Sequence, residues 1–291
     1  MRIAAILAAA VAAVVLLPTA ASGHSASPTV KVGCDETALQ TAVTNANTAG
    51  SGTIKLAAHC VYAISTPATA TDAFVQITGN VTIIGADSTT IDRAPNAAAF
   101  RFFNVASGGT LTLRTMTIHN GSTTGLGGGV LNAGTLNVQK VTFVNNVAAN
   151  GGGISNSAGG TATVTNATFA FNITTGVGGG GVINFGQLTI SKSDFDSNTA
   201  PVNGGGLNTQ PGGVTTIVGS MVEKNTSAGL GGGISNLGAT NVTNSSVRDN
   251  TASSGGGIAT GNTNVVLKKA KVIDNHPDNC SPSNTIEGCN G

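Results

Sequence analysis

Gly151-Gly152-Gly153-Ile154 and, fifteen residues after that isoleucine, Phe169-Ala170-Phe171-Asn172 form the two ends of a phrase that the chain writes six times. Its glycine runs open at Gly127, Gly151, Gly179, Gly204, Gly231 and Gly255, and each is followed by Val, Ile or Leu. Its closings, an apolar residue, two variable ones and an asparagine, end at Asn146, Asn172, Asn198, Asn225, Asn250 and Asn275. Those asparagines are separated by 26, 26, 27, 25 and 25 residues. A fixed period in this range marks a stacked repeat architecture.

Aligning the copies on the final asparagine produces columns. One reads Leu113, Val138, Val164, Ile190, Ile217, Val242, Leu267, and a second reads Ile118, Phe143, Phe169, Phe195, Val222, Val247, Val272. Between them runs a mostly small column, Met116, Val141, Ala167, Ser193, Ser220, Ser245, Ala270. Alternation such as Leu136-Asn137-Val138 and Leu188-Thr189-Ile190 is the period-two signature of a strand with one buried face. One such strand cannot bury its apolar side, whereas stacked equivalents form a continuous interior and pair their backbones.

The asparagine column has a physical reading. Asn tolerates the left-handed backbone of a tight corner. Stacked coil upon coil, each amide can bond to the next, as in cross-β amide ladders. A second, broken ladder is expected at Asn132, Asn156, Asn184 and Asn236. The glycines supply positive-φ corners without crowding a neighbour. A phosphate-cradling loop would need a following Lys or a G-x-G-x-x-G context, which these runs lack, so no cofactor is expected.

A glycine run plus Ile, Leu or Val, followed by Phe-x-x-Asn, resembles the repeats of polymorphic outer-membrane proteins. It is also similar to secreted bacterial right-handed parallel β-helix proteins of the broad pectate-lyase-like superfamily. The resemblance covers roughly residues 100–275 and implies an all-β fold, a single-stranded right-handed parallel β-helix. The polygalacturonase-type motifs of that superfamily, paired Asp with a Gly-His-Gly, are absent from this sequence, as is an acidic calcium cluster.

At the amino end, Met1-Arg2, an apolar run from Ile3 to Leu17, Pro18 and small residues to Ala26 read as a secretory signal peptide. The run is too short for an ordinary membrane span. Four cysteines fit an oxidising compartment. Proximity favours the pairs Cys34–Cys60 and Cys280–Cys289 among three possible connectivities, and zinc ligation lacks its C-x-x-C spacing. Asp35-Glu36 opens a helix to about Asn47 with Ala38, Leu39, Ala42, Val43 and Ala46 on one side, read as an N-terminal cap. The expected organisation is a signal peptide over 1–26, a cap over 27–52, β-helix repeats over 53–275 and a disulfide-closed cap over 276–291. From residue 53 onward that gives roughly nine coils and a rod of about 40 Å.

Charged residues are 9% of the chain and the formal net charge is +1. No basic face is evident, which argues against nucleic acid or anionic membrane as partner. With no Trp and one Tyr, aromatic sugar-stacking platforms are scarce. The one charge grouping created by stacking is the outward column Asp196, Glu223, Arg248, flanked by Asp194, Lys224 and Asp249, with members about 5 Å apart. It reads first as a cross-coil salt-bridge ladder and second as the best catalytic candidate. His119 shares the column three coils earlier and is read as a surface histidine. Asn-x-Ser/Thr triplets such as Asn166-Ala167-Thr168 and Asn172-Ile173-Thr174 follow from the repeat. No alternating segments that could build a membrane barrel follow the last repeat. The sequence thus leads to a secreted or wall-associated, noncatalytic β-helix. Its role is contact with a surface or a cell-wall or extracellular glycan, or a structural one. The rival is a polysaccharide lyase or glycoside hydrolase.

Overall fold

The structure is a computed structural model that describes residues 28–283 and 285–289; the expected signal peptide lies outside them. The chain winds into a parallel β-solenoid. Ten equivalent strands, from Thr29–Val32 through Thr161–Thr165 to Val265–Lys268, stack into one long face. At about 4.8 Å per rung the stack spans roughly 43 Å. The extra rung relative to expectation is Thr29–Val32, which pairs in register with Thr53–Leu56 and so begins the ladder inside the segment read as the cap.

After each long-face strand but the first, which leads into a helix, the chain turns a corner into a shorter stretch of strand such as Thr168–Ala170 or Asp194–Asp196, and these stack into a second face. A two-residue strand follows in four coils, from Val147–Ala148 to Thr226–Ser227. The glycine run then leads into a three-residue strand such as Ile154–Asn156, one of an eight-stranded sheet reaching from Phe103–Val105 to Cys280–Ser281.

Equivalent residues touch their counterparts, as the period requires. Phe143, Phe169 and Phe195 stack with centroids 5.0 and 4.6 Å apart and ring planes within 5° and 14°. Each such aromatic pair adds about 1 kcal/mol beyond its buried area. The glycine runs pack against this stack. In each run the first glycine has positive φ, +67° at Gly151 for example. A Cβ on the third, Gly153, would lie 2.9 Å from the Phe169 ring. The run is therefore a corner followed by the floor on which the aromatic column rests.

The corners are held by ladders of side chains. Asn146, Asn172, Asn198, Asn225, Asn250 and Asn275 each donate Nδ2 to the next amide oxygen, at 2.9–3.1 Å, the last reaching Asn279. The same oxygens accept backbone N–H groups, as Asn198 Oδ1 does from Asn172 at 3.0 Å. The ladder asparagines do not, however, take up the left-handed backbone. Positive φ falls one residue earlier, at Asn145, Phe171, Ser197, Lys224, Asp249 and Asp274. The residue before the asparagine makes the turn, and the turn aims the asparagine inward, where all but Asn275 are fully buried.

The broken ladder also forms, with Asn132 donating to Asn156 at 2.7 Å and Asn156 to Asn184 at 2.8 Å. Where Thr209 replaces the amide, hydroxyls of Thr209, Thr215 and Thr240 carry the contacts across to Asn236. At the corner between the two faces, Ser193, Ser220 and Ser245 accept the backbone N–H of Ala167, Ser193 and Ser220 at 3.0–3.1 Å.

At the amino end the helix Glu36–Thr48 closes the stack. Asp35 caps it, its Oδ1 accepting the Ala38 N–H at 2.6 Å. Leu39, Ala42, Val43 and Ala46 face the core, while Ala38, expected with them, is exposed. Glu36 accepts the N–H groups of Ser65 and Thr66 at 2.8 and 2.9 Å, and Cys34–Cys60 ties the helix entry to the coil beneath. The second disulfide is Cys280–Cys289.

Candidate functional site

The long face presents three outward columns. The middle one runs Thr53, Thr82, Thr112, Asn137, Thr163, Thr189, Thr216, Asn241. Outward side chains on the coils from Thr135 to Thr243 comprise fifteen positions, three per coil over five coils, and none is charged. Arg114 borders this stretch on one side and Lys268 on the other. Threonine is favoured on such surfaces because its branched side chain fits a pleated strand and is stiff at χ1.

The short face carries the charges. Register places Asp196, Glu223 and Arg248 on consecutive rungs. Arg248 Nη2 binds Glu223 Oε2 in a close ion pair, and its Nη1 reaches Asp249 Oδ2 at 2.8 Å. Lys224 Nζ lies 3.7 Å from the other Glu223 oxygen. Asp196 is not part of an ion pair in this group; Ser197 Oγ donates to it at 2.9 Å. The grouping expected from the sequence is thus brought together, with Glu223 and Arg248 joined and Asp196 beside them.

Asp194, two residues before Asp196 on the same surface, has its carboxyl raised above the ordinary range. Partial desolvation is the first cause, and the negative charges of Glu223 and Asp196 add to it. Since the residue is exposed, solvent screens much of the effect. Beside it a shallow cleft of about 530 Å³ runs over Gly219, Ser220 and Ser245 towards Lys269 and Lys271. It exists because Gly219 interrupts a corner column that otherwise carries Lys192, Asn244 and Lys269. Chemically, the cleft has one carboxyl at one end and two ammonium groups at the other. The carboxylates of Asp196 and Glu223 lie side by side along one surface, on neighbouring rungs.

His119, read as a surface histidine, is half-buried and bonded. Its Nδ1 lies 3.0 Å from Asp92 Oδ1, and Asn145 Nδ2 sits 3.2 Å from its Nε2. Asn120 Nδ2 lies 3.0 Å from both His119 Nδ1 and Asp92 Oδ1, which ties the ring to its neighbours. Sequence reasoning missed a buried pair altogether: Arg101 Nε lies 2.7 Å from Asp72 Oδ1, and Arg101 Nη1 donates to Leu126 O at 2.6 Å. Thr69 and Thr71 hydroxyls complete the Asp72 carboxylate. This pair ties three successive loops together. Both residues fall outside the six regular copies, so no column could have announced it.

Among the described residues no group of three or more His, Cys, Asp or Glu is placed to hold a metal ion, and no helix is long and apolar enough to cross a membrane. Asn172 is buried in the amide ladder, which closes its Asn-x-Thr triplet to modification in the folded protein. No protein-family model matches this chain, and a comparison with curated proteins likewise yields no match.

Proposed function

We propose that this protein is a secreted, noncatalytic β-solenoid whose long face makes contact with an extended surface or extracellular glycan. The observation that carries the reading is the run of fifteen uncharged outward positions over five coils, on a rigid flat sheet. Two disulfides suit export to an oxidising environment. The candidate catalytic group supports the same reading, because its most buried acid, Glu223, is engaged by Arg248 and Lys224 as a cross-coil ion-pair ladder. Pull-down on insoluble cell-wall and glycan preparations tests it: retention on at least one matrix is expected, and failure on all of them counts against surface contact.

A second reading is a polysaccharide lyase or hydrolase, favoured by one observation. A carboxyl raised by its surroundings beside carboxylates is the pattern of an acid–base pair. Incubation with acidic and neutral polysaccharides, followed by assay of new reducing ends or unsaturated products, decides it. Cleavage that disappears in Glu223→Gln would establish this second reading in place of the first.

A further inference from the structure

We infer that the partner of the long face is the surface of crystalline water, so that the five coils from Thr135 to Thr243 form an ice-binding plane. The inference rests on the surface-contact reading above and narrows it to one chemistry.

Charge comes first. Along these coils the short face carries Asp194, Asp196, Glu223 and Arg248, while the fifteen outward positions of the long face carry no charge and Lys140 and Lys192 stand at the corner that bounds it. Strand propensity accounts for threonine on a pleated surface but not for the absence of Lys, Arg, Asp and Glu, which on these coils are confined to the short face and its flanking corners. Ice rejects ions from its lattice, so a side chain that must keep its hydration shell opposes docking. A neutral hydroxyl, able to donate and accept, can stand in for a lattice water.

Periodicity comes second. Thr163, Thr189 and Thr216 repeat at the rung spacing of about 4.8 Å, and Thr161 and Thr163 repeat along a strand at about 6.7 Å. Hexagonal ice offers oxygen repeats of this order along two in-plane directions. A lattice partner is engaged by many weak contacts at once, which requires that the array be fixed beforehand. Here the ladders of Asn and Ser hold the backbone, and β-branching holds χ1.

Area and composition argue against other occupants. Five rungs by two in-strand repeats cover roughly 19 by 13 Å, about 250 Å², far less than the roughly 800 Å² per partner of a stable protein interface. Sugar recognition by stacking is not served either, because the outward positions of this stretch include no aromatic residue.

The test uses the full secreted protein in frozen sucrose films and in a nanolitre osmometer. Expected are arrested ice recrystallisation, faceted crystals and a gap between melting and freezing temperatures. Thr163→Lys and Thr189→Lys, both at exposed positions, should each reduce these effects by about tenfold or more, because simultaneous engagement is lost. Ser246→Lys, on the short face, should retain them. Circular dichroism melting shows whether all three variants stay folded. Activity equal to that of an unrelated protein at the same mass overturns the inference, as does wild-type activity unaffected by either long-face lysine. If the protein then still binds an insoluble glycan, the surface-contact reading stands without ice; if it binds neither, both fall.

Discussion

The long and short faces of the coils from Thr135 to Thr243 are built on one backbone, with a positive-φ residue at each of two corners of every coil, yet they carry opposite chemistry. One is uncharged over all its outward positions; the other turns from Thr168 and Ala170 to Asp194, Asp196, Glu223 and Arg248 within three rungs. The interior explains why both are possible. Phe or Val in the core column, Asn at one corner and, from the coil of Gln187–Ser191 on, Ser at the other hold the coils in place, and nothing outside the wall is needed to do so. Surface chemistry is thereby freed from fold, and a difference between two faces records what each is exposed to.

That independence can be broken at the shared corner. Asn198→Ala would remove the acceptor of Asn172 Nδ2 and of the Asn172 N–H, and the donor to Phe169 O. Buried groups left unpaired cost about 1–3 kcal/mol each, so a loss of roughly 3 kcal/mol or more is expected in chemical denaturation. Ser220→Ala at the other corner should cost about 1–2 kcal/mol, since the Ser193 N–H alone loses its buried acceptor. Two changes sharpen the contrast between the faces. Asp194→Asn should raise the melting temperature at neutral pH. The raised carboxyl contributes stability below the unfolded Asp pKa of about 3.9 and loses it as pH climbs through the folded value. The advantage of the variant must therefore shrink on acidification, and a gain that persists at low pH would refute the cause given. Thr163→Val on the long face should leave stability within about 0.5 kcal/mol, because that surface does not hold the coil together.

Much of this architecture could be read from the sequence wherever residues recur. Phe143, Phe169 and Phe195 were in one column and touch; the amide ladders and both disulfides were legible for the same reason of register or proximity. The conformation of the ladder was not. A left-handed preference suggested Asn at the turn, but the turn belongs to the residue before it, even when that residue is Phe171 or Lys224. Tertiary position overrides the local preference, at about 1–2 kcal/mol for each such residue. The serine column was visible as small side chains, while its bonding depends on backbone N–H groups that only stacking brings within reach. The Asp196–Glu223–Arg248 column was placed correctly as a neighbourhood, since rung adjacency follows from the period. The carboxyl most affected by its surroundings, Asp194, was named only as a flank, because burial cannot be read from spacing.

The Asn ladder also makes the molecule extensible. Excising residues 173–198 would join Asn172 to Thr199, a residue that already follows an asparagine of the same kind, and the amide of Asn172 would meet Asn225 as Asn198 now does. The product is the same rod one step shorter, by about 4.8 Å. Duplicating the segment adds a step in the same way. Length is thus set by copy number, and a gene encoding this chain can lengthen or trim its contact plane in whole units without redesigning a single corner.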